Sequence, residues 1–322
     1  DEELWLRLLH PEDQEIFNHG LIDALQSDQE SIVYELRMRH KAGHFVPVLS
    51  RGFITRDENG NPLRVSGTNM DLTERYRVQE LEDLRMFLLE MLTGSLALQE
   101  IMANIVGKLE SLIPESLCSI LLVDKDAKIC LGAAPNFPDF YNRALEGQSV
   151  GVGIGSCGNA IATRQRTIVE DINSHPFWSN FKEVASEAGL ASCWSEPIIS
   201  SANKALGSFA IYHRGPAVPT DHHIKIIEMT AHFTAHAIEL KRAEGDIKLA
   251  AKVFEQSHEG FLITDDKRKI IMVNQSFTTI TGYTEAEVLG KSSDMLSSGQ
   301  HEESFYQNIW ASIKEKGFWQ GE

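Results

Sequence analysis

Cysteine is scarce in this sequence and badly spaced for metal. Its four cysteines are Cys118, Cys130, Cys157 and Cys193; no two make a CxxC pair, and no histidine pair stands beside them at finger spacing. That excludes a structural zinc site and a disulfide framework, and no metal ligand is expected. Scattered, mostly apolar-flanked thiols fit the reduced state of the cytoplasm, which is the expected location. Positive charge is short as well: 30 Lys and Arg face 46 Asp and Glu, a formal charge of -16. Such a chain repels phosphate backbones and has no local basic patch, so nucleic acid is excluded as a partner. No apolar run approaches the roughly 18 residues of a spanning helix, so no membrane insertion by this segment is expected. Asp1-Glu2-Glu3 supplies neither an initiator Met nor a signal peptide, and the sequence stops abruptly at Gln320-Gly321-Glu322. A piece of a longer protein is expected.

Catalytic constellations are missing too. Gly151-Val152-Gly153-Ile154-Gly155 lacks the Lys-Ser/Thr of a P-loop. Ser156, Asp171 and His175 are near in sequence but lack the G-x-S-x-G elbow of a hydrolase. Asp265-Asp266 sits in a turn, where both carboxylates are solvated. No catalytic residue is expected, and this segment is read as no enzyme.

The composition that remains is ordinary and globular, 42% hydrophobic and 24% charged over 322 residues. At about 150 residues per domain the length suggests two domains. A helix over 12–26 precedes strands over 31–38, 45–50 and 63–70, with Asp57-Glu58-Asn59-Gly60-Asn61-Pro62 as a strong turn. Leu81, Leu84, Leu88, Met91, Leu98, Met102, Ile105, Leu109 and Leu112 then follow steps of three and four, broken only by Ser95. This predicts one long helix with a heptad seam, and a seam that long wants a partner helix. Leu81, Leu84, Leu88, Met91 and Leu98 are the expected dimer contacts of a coiled coil.

Residues 117–241 read as one α/β module. It has strands over 117–123, 167–172, 193–199 and 206–212, helices over 159–163 and 177–188, and a last helix from Pro219-Thr220-Asp221 to about 241. A linker is expected over 242–250. Strands over 260–264 and 269–273 follow, then helices over 274–281, 285–289 and 302–316, with Gly282, Gly290 and Gly317 as stops.

Val273-Asn274-Gln275-Ser276-Phe277 and Thr281-Gly282-Tyr283-Thr284-Glu285-Ala286-Glu287-Val288-Leu289-Gly290, with Gly260-Phe261-Leu262-Ile263-Thr264-Asp265, resemble the front of a PAS domain. His10-Pro11-Glu12-Asp13, Tyr34-Glu35-Leu36-Arg37 and Gly67-Thr68-Asn69-Met70-Asp71-Leu72-Thr73-Glu74-Arg75 resemble the rear of another. The middle resembles the GAF family through Gly153-Ile154-Gly155-Ser156-Cys157-Gly158, Ile168-Val169-Glu170-Asp171-Ile172, Cys193-Trp194-Ser195-Glu196-Pro197-Ile198 and Leu206-Gly207-Ser208-Phe209-Ala210. The implied fold is α+β: antiparallel-sheet PAS and GAF modules joined by long signalling helices. The expected boundaries are 1–75 (rear PAS), 76–98 (signalling helix), 99–241 (GAF), 242–250 (helical linker) and 251–322 (front PAS). Both ends would then fall inside a PAS fold, so 1–30 and 290–322 are expected to be the least well packed.

The resemblance implies a sensor of a small ligand or redox state that signals through dimeric helices to an output domain of the same parent chain. Ser298-Gly299-Gln300-His301-Glu302 and Trp319-Gln320-Gly321-Glu322 resemble PAS domains upstream of GGDEF and EAL cyclic di-GMP enzymes. A histidine-kinase sensor region and a ligand-free dimerisation spacer are the alternatives. The cofactor is unknown. Flavin or haem would suit a PAS pocket, with Asn274, Trp310 and Trp319 as ligand-binding candidates for flavin. His10, His258 and His301 are polar-flanked and fit the surface better than haem iron. Cys157 is the redox candidate, at a helix N-terminus that lowers a thiol pKa, although a buried capping role fits it better. Cys193 lacks the adjacent His of bilin-binding relatives; Trp194 follows it instead.

Overall fold

His10 starts the second helix by accepting the Glu12 N–H at 3.3 Å, and Pro11 at the first helical position has no N–H to satisfy. The computed structural model describes residues 2–297 and 299–321. They form two compact units, 1–239 and 240–322. The fold is α+β, helices against antiparallel sheets, as expected.

Helices α1 (Glu2–Leu8) and α2 (Pro11–Gln26) precede the strands β1 (Ser31–Arg39), β2 (Phe45–Arg56) and β3 (Pro62–Asp71), an antiparallel sheet in sequence order. The turn between β2 and β3 forms as expected: Asp57 accepts the Asn59 and Asn61 N–H groups, and Gly60 takes φ +84°. Leu9, Phe17, Leu36 and Val48 form one small core, and Ala24, Ile32 and Ile54 another. Of the described side chains over 5–30 only Leu9, Phe17 and Ala24 are buried, in keeping with the expected weak packing there. Strand β3 is an edge strand, exposed along its whole length.

Arg37 on β1 ties the sheet to α2, its backbone N–H and Nε donating to Asp13 Oδ2 at 2.8 and 3.0 Å. The guanidinium holds the Asp13 carboxyl below its ordinary value of 3.8. A depressed carboxyl adds stability above its unfolded pKa and loses it as pH falls through the folded one. Urea midpoints of wild type and Asp13→Asn should differ at neutral pH and converge below about pH 4. A gap that ignores pH would contradict this role.

Helix α3 (Thr73–Thr93) and helix α4 (Leu98–Leu112) replace the expected single helix over 81–112. Gly94 and Ala97 are extended, and the Glu100 carboxylate accepts the Ala97 N–H at 2.9 Å, starting a new helix. The break lets α4 pack against α3. Leu84 and Leu88 are fully buried in one core with Ile101, Met102, Ile105 and Leu109, while Leu81, Met91 and Leu98 pack at its margin. The seam is thus corrected: the partner its apolar face meets is the next helix of the same chain.

Five strands follow, β4 (Ser116–Val123), β5 (Ile129–Ala133), β6 (Thr167–Val169), β7 (Ser192–Ile199) and β8 (Ala205–His213), in the antiparallel order β5-β4-β8-β7-β6. Gly207 lets β8 approach β4; a Cβ there would lie 2.1 Å from the Leu121 carbonyl oxygen. One face of the sheet carries α4 and the start of α8 (Asp221–Gln256), through Ile120, Phe209, Ile226, Ile227 and Ile238. The other carries α5 (Asp139–Leu145), α6 (Gly155–Thr163) and α7 (Lys182–Glu187), around Tyr141, Trp178, Ala185 and Tyr212. The helix expected over 177–188 is interrupted, with a 3-10 turn at Pro176–Trp178 ahead of α7. The expected helical linker over 242–250 lies inside α8, which has no Pro there and runs on through Gly245.

The second unit holds the end of α8, the hairpin β9 (Leu262–Thr264) and β10 (Ile270–Val273), and helices α9 (Gln275–Thr281), α10 (Glu285–Val288) and α11 (Glu303–Lys316). Gly282 and Gly317 end their helices in the left-handed region, as expected. The core is small: Ile270, Val273, Phe277 and Val288. No described residue of 290–321 is buried, in keeping with the expected weak packing there. Ser298 and Glu322, which belong to the segments resembling cyclic di-GMP proteins, lie outside the described residues. Among the described residues no helix is long and apolar enough to cross a membrane.

Candidate functional sites

The Gly-rich loop before α6 turns sharply, with Gly153 and Gly155 at φ +77° and +58°. These are left-handed values that a side chain would strain. The turn aims Ser156 and Cys157, in the first turn of α6, at the inner face of the sheet. Trp178 Nε1 donates to Ser156 Oγ at 2.9 Å. Cys157 Sγ lies 3.1 Å from Ser195 Oγ and 3.4 Å from the Tyr212 hydroxyl, and Cys193 Sγ lies 3.6 Å from the same Ser195 Oγ. The two thiols therefore share Ser195 as a neighbour. The adjacent Cys193 thiol and the Ser195, Tyr212 and Ser208 hydroxyls draw the Cys157 thiol below its ordinary value, against the opposing effect of burial. Burial pushes Cys193 well up.

A cavity of about 30 Å³ adjoins Cys157, walled by Leu121, Ile129, Ile154, Trp178, Phe181 and Tyr212. Organic ligands need roughly 300–1,000 Å³, and one water needs about 10–15 Å³. The cavity thus has room for water-sized molecules only. Cys157 was legible from its place at a helix start. Cys193 as its neighbour was not, because only the packing of α6 on β7 joins residues so far apart in sequence.

A ligand-sized cleft of about 360 Å³ lies between α2 and the inner face of the β1–β3 sheet, lined by Trp5, Phe17, Leu21, Ile32, Ser50 and Asn69, among others. Ser50 and Asn69 are cross-strand neighbours, as are Gly52 and Gly67. Those two glycines lower the floor: a Cβ on Gly52 would strike Ile32, and one on Gly67 the Arg51 carbonyl. The sequence reading missed this cleft. Its signal was the glycine in each of two strands, meaningful only once the register is known.

The three ligand candidates of the second PAS region do not converge. Asn274 is 1% exposed and fully used: Oδ1 accepts the Phe261 and Phe277 N–H groups, and Nδ2 donates to the Phe254 and Glu259 carbonyls. It pins the hairpin and caps α9, so its assignment as a ligand contact is corrected. Trp310 lines an open hollow with His301, Phe305 and Tyr306, while Trp319 lies edge-on to Phe305. His301 stacks on Phe305, with ring centroids 4.1 Å apart. No group of three or more metal-ligating side chains occurs among the described residues.

Family models match three stretches: the PAS fold over residues 1–69, the GAF domain over 95–239 and a PAS domain over 258–322. The methyl sulfide methyltransferase-associated sensor of Methanosarcina acetivorans is 29% identical over 314 residues, 96% of this chain and 31% of that protein. The nitrogen fixation regulatory protein of Klebsiella oxytoca is 31% identical over 68 residues, 21% of this chain and 14% of that protein. The chain therefore spans less than a third of the length of each. Among solved structures, a GAF domain of a phosphoenolpyruvate-protein phosphotransferase from Coxiella burnetii is similar at TM-score 0.45 and 20% identity, covering 53% of this chain and 98% of that one. A putative GAF sensor protein from Burkholderia vietnamiensis is similar at 0.43 and 16%, covering 52% and 98%. The three matched stretches, in this order and with a sensor protein aligned along nearly the whole chain, give the PAS–GAF–PAS arrangement of a sensory region.

Proposed function

We propose that this chain is the sensing segment of a longer signalling protein, and that α3 carries the state of the first PAS region into the GAF domain. What supports the reading is the way both ends of α3 are held. At its start Leu72 is buried, its N–H bonds to the Pro47 carbonyl of β2, and the Tyr76 hydroxyl donates to Glu35 of β1 at 2.7 Å. Further on, Glu80 meets His222 at the start of α8, and Leu84 and Leu88 enter the GAF core. A ligand in the 360 Å³ cleft that moves the sheet would move a helix that cannot shift without repacking the GAF domain. Regulation needs only about 1–3 kcal/mol of coupling.

A homodimer belongs to this proposal. Its contacts would fall on the outward face of α3, where Met86 and Leu89 are exposed, because Leu84 and Leu88 are already covered. The proposed output is cyclic di-GMP synthesis or hydrolysis by a further domain of the parent, on the sequence resemblances at 298–302 and 319–322. Assaying the full-length parent for cyclic di-GMP turnover and for autophosphorylation from ATP tests that choice; phosphorylation without turnover would replace it with a histidine kinase. In the same protein Tyr76→Phe is expected to shift output about 2- to 10-fold, the equivalent of one hydrogen bond, without unfolding the chain. Unchanged output would count against α3 as the carrier.

A further inference from the structure

We propose that Cys157 and Cys193 form a reversible dithiol–disulfide couple inside the GAF domain, oxidised by hydrogen peroxide. The inference deepens the sensory reading by naming the signal for this module, and rests on that reading only for its consequence. Its ground is the geometry. Two thiols from different elements, α6 and β7, share Ser195 Oγ as a hydrogen-bond partner, at 3.1 and 3.6 Å. The cavity beside Cys157 excludes organic ligands by size but takes a molecule little larger than water. The Tyr212 hydroxyl, 3.4 Å from Cys157 Sγ, adds a donor for a thiolate, and the first turn of α6 adds the positive end of a helix.

The chemistry balances. The Cys157 thiolate attacks one peroxide oxygen; the O–O bond breaks, hydroxide leaves and takes up a proton as water, and Cys157 becomes a sulfenic acid. Cys193 sulfur then attacks the sulfenyl sulfur; the S–S bond forms, the S–O bond breaks, and a second water leaves with the Cys193 proton. Two thiols lose two electrons and peroxide gains them. The S–S bond, about 2.05 Å long, would tie α6 covalently to β7. Cys118 is set apart from this chemistry. It belongs to the core on the opposite face of the sheet, and burial raises its pKa.

The test is a thiol count on the 322-residue chain, reduced and then exposed to hydrogen peroxide, with peptide mapping under non-reducing conditions. Titratable thiols should fall from the four present to two. One cross-linked peptide pair should contain Cys157 and Cys193, and dithiothreitol should reverse both changes. Cys193→Ser should keep Cys157 as a sulfenic acid trapped by dimedone, and Cys157→Ser should leave its remaining thiols unoxidised, each variant being checked for native far-UV circular dichroism. Four surviving thiols, or a disulfide through Cys118 or Cys130, overturns the couple and leaves the α3 reading untouched. If the disulfide forms but output of the full-length parent does not change, the couple stands and its role as the signal falls.

Discussion

Leu88→Ala should destabilise the 1–239 unit by about 2–5 kcal/mol, the range for truncating a leucine in a closed core, and leave the native mass of the chain unchanged. Leu88 is 1% exposed among Ile101, Met102, Ile105 and Leu109 of its own chain, so the substitution opens a cavity inside the unit. A contact between two chains would answer differently: the oligomer would dissociate while each chain kept its fold. Urea unfolding combined with mass measurement in solution separates the two outcomes. A dissociated but fully stable variant would restore the inter-chain seam. Met86→Asp, on the outward face of α3, should give the opposite pattern, because Met86 is 64% exposed: little loss of stability, and loss of any dimer the wild type forms.

Asn274→Ala should unfold much of the second unit. Four hydrogen bonds end on this buried side chain, and removing it leaves buried backbone groups unpaired as well as uncapping α9. At about 0.5–1.5 kcal/mol for each of the three other bonds, and about 1 kcal/mol for the N-cap, the loss is roughly 2.5–5.5 kcal/mol. A core of four buried residues offers little to set against that. Limited proteolysis should then cut within 257–297 in the variant and spare the wild type. Asn274→Asp, which keeps the two accepting interactions and loses the two donated ones, should fall between them. Equal resistance of all three proteins would mean that Asn274 is not the hub of this unit.

The sequence carried local chemistry well and non-local geometry poorly. Gly60, Gly282 and Gly317 announced turns and helix ends because their backbone demands are local. The apolar steps from Leu81 to Leu112 were real, but Leu98 resumes the pattern after Ser95 and hid the break that folds α4 onto α3. Periodicity says that a face is covered, not by which helix. Strand β5 was missed because Ile129–Ala133 is a short apolar run whose identity comes from pairing with β4. The sites follow the same division. Cys157 stood out by its helix start, whereas its neighbour Cys193 and the glycine floor of the PAS cleft depend on strand register. Asn274 was singled out for the right polarity and given the wrong task, because its four partners lie at 254, 259, 261 and 277.

Hydrogen–deuterium exchange along α3, measured at two widely separated protein concentrations, tests the central claim most directly. If α3 belongs to the GAF core of its own chain, amides of 84–92 should be protected to the same degree as those of β8, at both concentrations alike. Fast exchange there, or protection that grows with concentration, would show a helix stabilised by a second chain and would contradict the account.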